Sequence, residues 1–244
     1  MSAGVADRLE RLLGRIAANV NDHDAAPVLI VAFGDSVTQG YTAHATIDHD
    51  GVYHARLKRR LETTFPRATF SVINAGAAGQ TVQDALKRLE RDVIRFEPDL
   101  LIVAFGLNDA AHGGFEGVRQ FKADLNHLLE RVETDTRALV LLVTPSFTLK
   151  QTNDHIHPDE LIYVTGLLPL QRGGIVAAYA AAIRQVSAAH RLPVADVYAA
   201  WEQAALEGVN TDDWLSNGLN HPTGAAHAIT ADLLYDLITH HKES

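Results

Sequence analysis

Ser36 follows an apolar run, in a position where a serine could act as a nucleophile. Residues 28–33 are apolar and rich in branched side chains, which favours a strand buried on both faces of a parallel sheet. Gly34 then lets the chain turn, and a following helix would direct its N-terminal N–H groups to the same place. Asp35 or Ser36 could instead only cap that helix. The stretch alone leaves both interpretations open.

Two further predicted strand ends carry groups that can stabilise a negative charge on oxygen. Asn74-Ala-Gly-Ala-Ala-Gly79 is a small-residue turn, and Gly106-Leu-Asn-Asp109 follows a third apolar run. A glycine at a helix start presents its N–H without obstruction, and an asparagine amide aimed at an oxyanion is worth roughly 3 kcal/mol. Tight strand-to-helix packing for the first turn and a capping role for Asn108 are the alternatives.

Three segments, taken in order, resemble the sequence blocks of the SGNH (GDSL-type) hydrolases, which are serine esterases with a flavodoxin-like sheet. Gly34-Asp-Ser-Val-Thr-Gln-Gly40 resembles the first block, with Val37 where the family has leucine. Asn74–Gly79 is similar to the second block and Gly106–Asp109 to the third. The resemblance extends over nearly the whole chain, from Val28 to about His240.

This resemblance implies the roles of four groups. Ser36 would be the nucleophile, and its own N–H would bind the oxyanion together with Gly79 N–H and the Asn108 amide. The second block maps the oxyanion glycine onto Gly79 in preference to Gly76. No cofactor and no metal are expected.

Histidine is the usual base for a serine nucleophile, and this chain has 13 histidines. Asp154-His-Ile-His-Pro158 spells the family's last block but lies in an irregular stretch. Asn217-Gly-Leu-Asn-His-Pro222 lies where that block belongs, after the last strand and directly before the C-terminal helix. A histidine there can approach the end of the first strand, so we favour His221 over His157.

The third member of a triad is missing, because Gly218 stands where the family has its aspartate. That acid normally fixes the imidazole tautomer and stabilises the imidazolium. Asn217 can orient the ring but cannot neutralise its charge. Three replacements are open: a backbone carbonyl that accepts from Nδ1–H, which we prefer, Asp212 or Asp213, and Asp154 or Asp159.

The irregular stretch at 145–172 is expected to form a lid or substrate wall. Four of its side chains could alternatively hold zinc or manganese, since imidazole and carboxylate suit these ions. They are Asp154, His155, His157 and Asp159. Close sequence spacing alone makes a poor metal site, so the wall is the preferred interpretation.

Alternating strands and helices predict an α/β fold: a three-layer α/β/α sandwich with a flavodoxin-like five-stranded parallel sheet. Residues 1–27 would carry an amphipathic helix over 5–20 that packs on the domain or joins two copies, and 28–244 would form the hydrolase domain. Strands are predicted at 28–33, 69–74, 99–105, 138–144 and 193–198. Helices are predicted at 52–65, 81–96 and 117–134, in a segment that runs through His190, and from about Pro222.

Composition limits the partners. A net charge of −9 disfavours general affinity for nucleic acid, because phosphate binding needs a positive field. With 47% hydrophobic residues and no cysteine, the chain needs neither disulfide nor thiolate metal site for a core. Charges at the N-terminus and the absence of a long apolar run predict a cytoplasmic protein without a membrane span.

Taken together, the sequence predicts hydrolysis of a carboxylic ester through an acyl-enzyme on Ser36. A short acyl group, such as acetyl on a carbohydrate or small alcohol, is the expected substrate. Lysophospholipase or acyl-thioesterase activity is the alternative, as is a catalytically degenerate member that keeps the fold as a binding module.

Overall fold

A parallel sheet forms the centre of the molecule in the computed structural model, which describes residues 3–22 and 24–240. Its spatial order is β2-β1-β3-β4-β5, and every pair of neighbouring strands is parallel. The five-stranded flavodoxin-like sheet predicted from the sequence is confirmed. The strands are β1 (Val28–Gly34), β2 (Phe70–Gly76), β3 (Leu100–Ala104), β4 (Leu139–Val143) and β5 (Val194–Ala195).

Helices cover both faces of this sheet, which is why β1, β3 and β4 are buried almost throughout. Helices α4, α6 and α8 pack side by side, and α3 packs against α10. The helices are α1 (Ala3–Asn21), α2 (Ser36–Gln39), α3 (Tyr53–Thr64), α4 (Val82–Asp92), α5 (Leu107–Gly113), α6 (Val118–Asp135), α7 (Val164–Arg172), α8 (Ile175–His190), α9 (Val197–Leu206) and α10 (Gly224–Thr239). Short 3-10 helices lie at Ile94–Phe96, Pro158–Tyr163 and Thr211–Trp214.

Helix α1 packs against β1 and β4. Its buried face is formed by Val5, Leu9, Leu12 and Ile16. Arg8 extends this contact, since its Nη1 donates to the carbonyl of Ala138 at 2.8 Å. Leu13 is 38% exposed and lies outside the buried stripe.

Several predicted boundaries were wrong. The strand expected at 193–198 ends at Ala195, because the Asp196 side chain accepts from Ala199 N and caps α9 instead. The helix expected at 81–96 breaks at Val93 into a 3-10 turn. Thr81 and Asp84 form a capping box at the start of α4. The stretch at 145–172 contains a 3-10 helix and the whole of α7.

We find no single helix in ranges 3–22 and 24–240 with the length and apolar character to cross a membrane. One pair, Pro158–Arg172 with Ile175–His190, passes that test by length and composition, with a 58° bend between its parts.

Candidate active site

The structure brings Ser36 and His221 together at the carboxyl edge of the sheet. Ser36 is the first residue of α2, separated from the end of β1 by the cap residue Asp35, and its Oγ lies 3.1 Å from Nε2 of His221. His221 belongs to the loop that precedes α10. A bridge between Leu215 and Pro222 closes the base of this loop. Two groups separated by 185 positions in the chain therefore lie at proton-transfer distance.

Asn217 organises the loop that carries His221. Its Oδ1 accepts from the backbone N–H groups of Leu219, Asn220 and His221, at 3.0–3.1 Å. These three bonds fix which end of the amide is oxygen, so Nδ2 faces Nδ1 of His221 at 3.2 Å. Asn217 therefore sets the position of the base through the backbone.

The same nitrogen of the imidazole also faces a carbonyl oxygen. Nδ1 of His221 lies 3.2 Å from the carbonyl oxygen of Thr42. When Nδ1–H donates a hydrogen bond to this carbonyl, the Asn217 amide directs its hydrogen to Asn220 Oδ1 at 3.2 Å, and Nε2 is free to accept a proton from Ser36. Burial holds the pKa of His221 below its ordinary value, against the hydrogen bond to Thr42 and the charge of Glu160, so the neutral form dominates at pH 7.

The acidic residues weighed as replacements for the missing aspartate lie elsewhere. Asp212 accepts from the N–H groups of Lys150 and Gln151, at 2.9 and 3.1 Å. Asp213 accepts from Asn210 Nδ2. Among the described residues, 3–22 and 24–240, no hydrogen bond joins His221 to any of the four acids considered: Asp212, Asp213, Asp154 and Asp159.

Gly79 and Gly76 have different environments. Gly79 is exposed, has φ +74°, and its N–H makes no hydrogen bond to another described residue. Gly76 donates to Asn74 Oδ1 at 3.0 Å, and a Cβ there would lie 2.6 Å from Gln39 Cα. Gly76 thus allows the end of β2 to approach α2, while the N–H of Gly79 is available to a ligand.

Asn108, the second residue of α5, connects the ends of three strands. Its Nδ2 donates to the carbonyl of Gln80 at 3.1 Å and to Asp35 Oδ2 at 3.4 Å. The bond to Asp35 is long, so one Nδ2 hydrogen can be redirected to a bound oxygen at small cost. Because it bonds to Gln80, Asn108 lies next to the turn that carries Gly79.

Sequence reasoning missed Arg88. It is 7% exposed on α4, and its guanidinium donates to the carbonyls of Gly34 at 2.9 Å and Ala75 at 2.7 Å, and also to Gln80 Oε1. Arg88 therefore ties together the ends of β1 and β2 and the turn that carries Gly79. Its place on the buried face of an amphipathic helix was the available signal, because charged residues are seldom buried without a partner.

Two buried carboxyl groups flank the site. Burial, with a contribution from the charge of Asp109, raises the pKa of Asp35 to about 7, although its hydrogen bond from Val37 N opposes this. Burial likewise raises the pKa of Asp109 to about 6, against a hydrogen bond from Val82 N. Perturbed acids of this kind concentrate at functional sites.

The 3-10 helix at 158–163 closes one side of the site. His157 does not contact Ser36; its ring stacks on that of His44 with 3.9 Å between centroids. Ligand atoms of His44, His157 and Asp159 lie within 4.8 Å of one another. Parallel stacked rings cannot both direct a lone pair at one ion, and Nδ1 of His157 already accepts from Asp159 N. The arrangement does not fit a metal centre.

Beside the catalytic edge lies a cleft in which the space between atoms, part of it open to solvent, amounts to about 480 Å³. Asp35 and Val37 border it beside Ser36, and Pro222 borders it beside His221. Its remaining walls are mainly apolar and include Trp201 and Phe105. Such a cleft suits a small apolar group.

His227 lies behind the site on α10. It is 1% exposed and its ring stacks on Tyr53, with 6.1 Å between centroids. Burial lowers its pKa to about 3, so it is neutral. It is a packing residue and does not contact Ser36.

Comparison with known proteins identifies the family. The sequence pattern of the GDSL-like Lipase/Acylhydrolase family matches residues 32–229, which is most of the chain. The chain belongs to this family. The resemblance seen in the sequence motifs is therefore confirmed.

Individual proteins also show similarity to this chain. The chain is 38% identical over 82 residues to YqeF, an uncharacterized lipoprotein of Bacillus subtilis, and 31% identical over 93 residues to an acetylxylan esterase of Geobacillus stearothermophilus. These alignments cover 34% and 38% of this chain, and only 32% and 41% of those relatives. The structure of a lipase/acylhydrolase from Enterococcus faecalis matches with a TM-score of 0.66 and 26% identity, over 86% of this chain and 94% of that one.

Proposed function

We propose that this protein is a serine esterase that works through an acyl-enzyme on Ser36. The observation that carries the proposal is the contact between Ser36 Oγ and His221 Nε2 at 3.1 Å, with Nδ1 of the same ring on a carbonyl oxygen. Membership of a family described as lipases and acylhydrolases supports it.

In the first half of the reaction, Ser36 Oγ attacks the ester carbonyl carbon as its proton passes to His221 Nε2. The carbonyl oxygen becomes an oxyanion, which accepts hydrogen bonds from Ser36 N–H, Gly79 N–H and Asn108 Nδ2. The bond from the carbonyl carbon to the alcohol oxygen then breaks, and His221 returns the proton to that oxygen. The alcohol leaves and the acyl group stays on Ser36.

In the second half, His221 takes a proton from water while the water oxygen attacks the acyl-enzyme. The same donors hold the second oxyanion. The bond from the carbonyl carbon to Ser36 Oγ breaks, and Oγ recovers its proton from His221. A carboxylic acid is released. No cofactor takes part in these steps.

For the substrate we propose a short acyl group, such as acetyl, on a carbohydrate or other small alcohol. The similarity to a protein named acetylxylan esterase supports this choice. The cleft beside Val37 and Pro222 is apolar and of modest volume, which suits a small acyl group better than a long chain. Lysophospholipids and acyl thioesters are the competing substrates.

The test begins with a fluorophosphonate probe on the wild-type protein and on Ser36→Ala. We expect labelling of the wild type only. Labelling that is absent, or that survives in Ser36→Ala, would refute the nucleophile and favour a binding module that only keeps the fold.

Substrate class is measured next, on acetylated sugars, p-nitrophenyl esters of increasing chain length, acyl thioesters and lysophospholipids. We expect the highest kcat/KM on acetyl esters, with a decline as the acyl chain lengthens. A maximum on long-chain esters or lysophospholipids would contradict the proposed substrate while leaving the mechanism intact.

A further inference from the structure

His221 lacks a carboxylate neighbour because position 218 has no room for one. Gly218 has φ +68°, a left-handed conformation that other residues seldom adopt. A Cβ at this position would lie 2.9 Å from Ile156 Cγ1 and would collide with Asn153 Oδ1. Asn153 also donates to the carbonyl of Gly218 at 3.0 Å. The stretch at 151–163 therefore fills the space that an aspartate side chain would need.

The same stretch brings a different acid to the site. Glu160 lies in the 3-10 helix at 158–163 and its side chain is only 16% exposed. One carboxylate oxygen, Oε1, lies 3.3 Å from Nδ1 of His44. The other, Oε2, is buried and has no hydrogen-bond partner among the described residues. A buried carboxylate without full pairing is costly and needs an explanation.

Glu160 is linked to the base through one loop. His44, which Glu160 contacts, is two residues from Thr42, whose carbonyl oxygen faces His221 Nδ1 at 3.2 Å. Thr42 N donates to the carbonyl of Thr46 at 3.0 Å, which closes the loop around His44. The carboxylate thus belongs to the same wall of the site as the carbonyl that faces Nδ1 of His221.

We propose that Glu160 is the positioning residue that replaces the missing aspartate: its carboxylate supplies the negative charge that stabilises the His221 imidazolium without touching the ring. The role rests on the proposed function of Ser36 and His221. It accounts for a buried, half-paired carboxylate in a site that has only a neutral carbonyl on Nδ1.

The charge of Glu160 acts on His221 in the direction that the proposal requires. The charge of Glu160 raises the pKa of His221, whereas burial lowers it. The other titratable groups that face the ring are Tyr41, at 5.7 Å between ring centroids, and His227 on α10. Neither Tyr41 nor His227 is a carboxylic acid, so Glu160 is the carboxylate among the described residues whose charge acts on His221. The Glu160 side chain is 16% exposed, so its charge is screened less than that of a solvent-exposed acid.

The decisive comparison is Glu160→Gln against Asp159→Asn. Glutamine keeps an oxygen that can accept from His44 but removes the charge. Asp159 is the adjacent acid, is 77% exposed, and has no contact with His221 among the described residues. With p-nitrophenyl acetate from pH 5 to 9, we expect Glu160→Gln to lower the plateau of kcat/KM on the order of tenfold, since the imidazolium loses its counter-charge. Its acidic limb should also move to lower pH.

Asp159→Asn should reproduce the wild-type profile, and Glu160→Asp, which retains the charge, should recover most of the activity. A Glu160→Gln profile equal to the wild type would overturn the proposal. A lowered plateau with an unmoved acidic limb would also overturn it, because that pattern indicates loss of packing without loss of charge. Far-UV circular dichroism checks that each variant folds.

An NMR titration of the histidine C–H resonances gives a readout that does not need activity. The His221 signal is assigned by its absence in His221→Gln. We expect this signal to titrate at lower pH in Glu160→Gln than in the wild type, and an unchanged titration would refute the proposal. If the wild type shows no Ser36-dependent hydrolysis, the esterase fails, while the NMR result still decides whether Glu160 acts on His221.

Discussion

Replacing Asp35 by asparagine should change how the stability of the fold depends on pH. Burial raises the pKa of Asp35 from its ordinary value of 3.8 to about 7. The folded protein therefore holds a proton on this group between pH 4 and 7, whereas the unfolded chain has already released it. Stability contributed by the group is fully present below pH 3.8 and is lost as the pH rises toward 7.

The magnitude follows from the interval over which only the folded state is protonated. Each pH unit within it costs the wild type about 1.4 kcal/mol, so the loss from pH 5 to pH 8 approaches about 3 kcal/mol relative to Asp35→Asn. Asparagine can still accept from Val37 N through Oδ1. It loses the long contact from Asn108, which adds a destabilisation that does not depend on pH.

Urea denaturation at pH 5, 6, 7 and 8, followed by tryptophan fluorescence, measures the difference in unfolding free energy at each pH. We expect the difference to move in favour of Asp35→Asn as the pH rises. Asp109→Asn is the comparison. For this variant the difference in unfolding free energy from the wild type should stop changing near pH 6, because the pKa of Asp109 is raised only to about 6. A difference between Asp35→Asn and wild type that stays constant from pH 5 to 8 would refute the reasoning.

Two further predictions concern the groups that hold the site in place. Arg88→Met should lower the unfolding free energy by about 3 kcal/mol, because it leaves buried strand-end carbonyls unpaired. Arg91→Met, on the exposed side of the same helix, should have a much smaller effect, and equal effects of the two variants in urea denaturation would contradict this. Asn217→Ala should reduce kcat/KM on the order of 100-fold, because the His221 loop loses three hydrogen bonds. Asn217→Asp keeps these bonds and puts a carboxylate beside Nδ1 of His221, so it should move the acidic limb of the kcat/KM profile to higher pH. A wild-type profile in Asn217→Asp would refute the second prediction.

The sheet and the strand ends could be read from the sequence because they rest on local patterns. Buried parallel strands need continuous apolar runs, and the runs at β1, β3 and β4 are unambiguous. The end of β5 was misjudged, since Val197 and Tyr198 are residue types that favour strands. Here Asp196 caps α9, and its pairing with Arg184 at 2.6 Å is visible only in the folded molecule.

The site was accessible only in part. Ser36, Gly79, Asn108 and His221 could be selected by motif and position, but their distances required the structure. Nothing local could reveal Glu160, because its place depends on how the stretch at 145–172 folds over His221. That stretch has no regular apolar period, so neither its 3-10 helix nor its contacts were predictable.

The crowding around Gly218 makes two arrangements mutually exclusive: an aspartate at position 218 beside His221, and the present packing of Asn153 and Ile156 against Gly218. Restoring an aspartate at 218 by a single substitution would introduce a side chain where Asn153 and Ile156 already lie, on a backbone that disfavours it. A route between the two arrangements must remodel both segments together. Engineers who wish to rebuild a conventional triad here should redesign the covering segment first and the acid second.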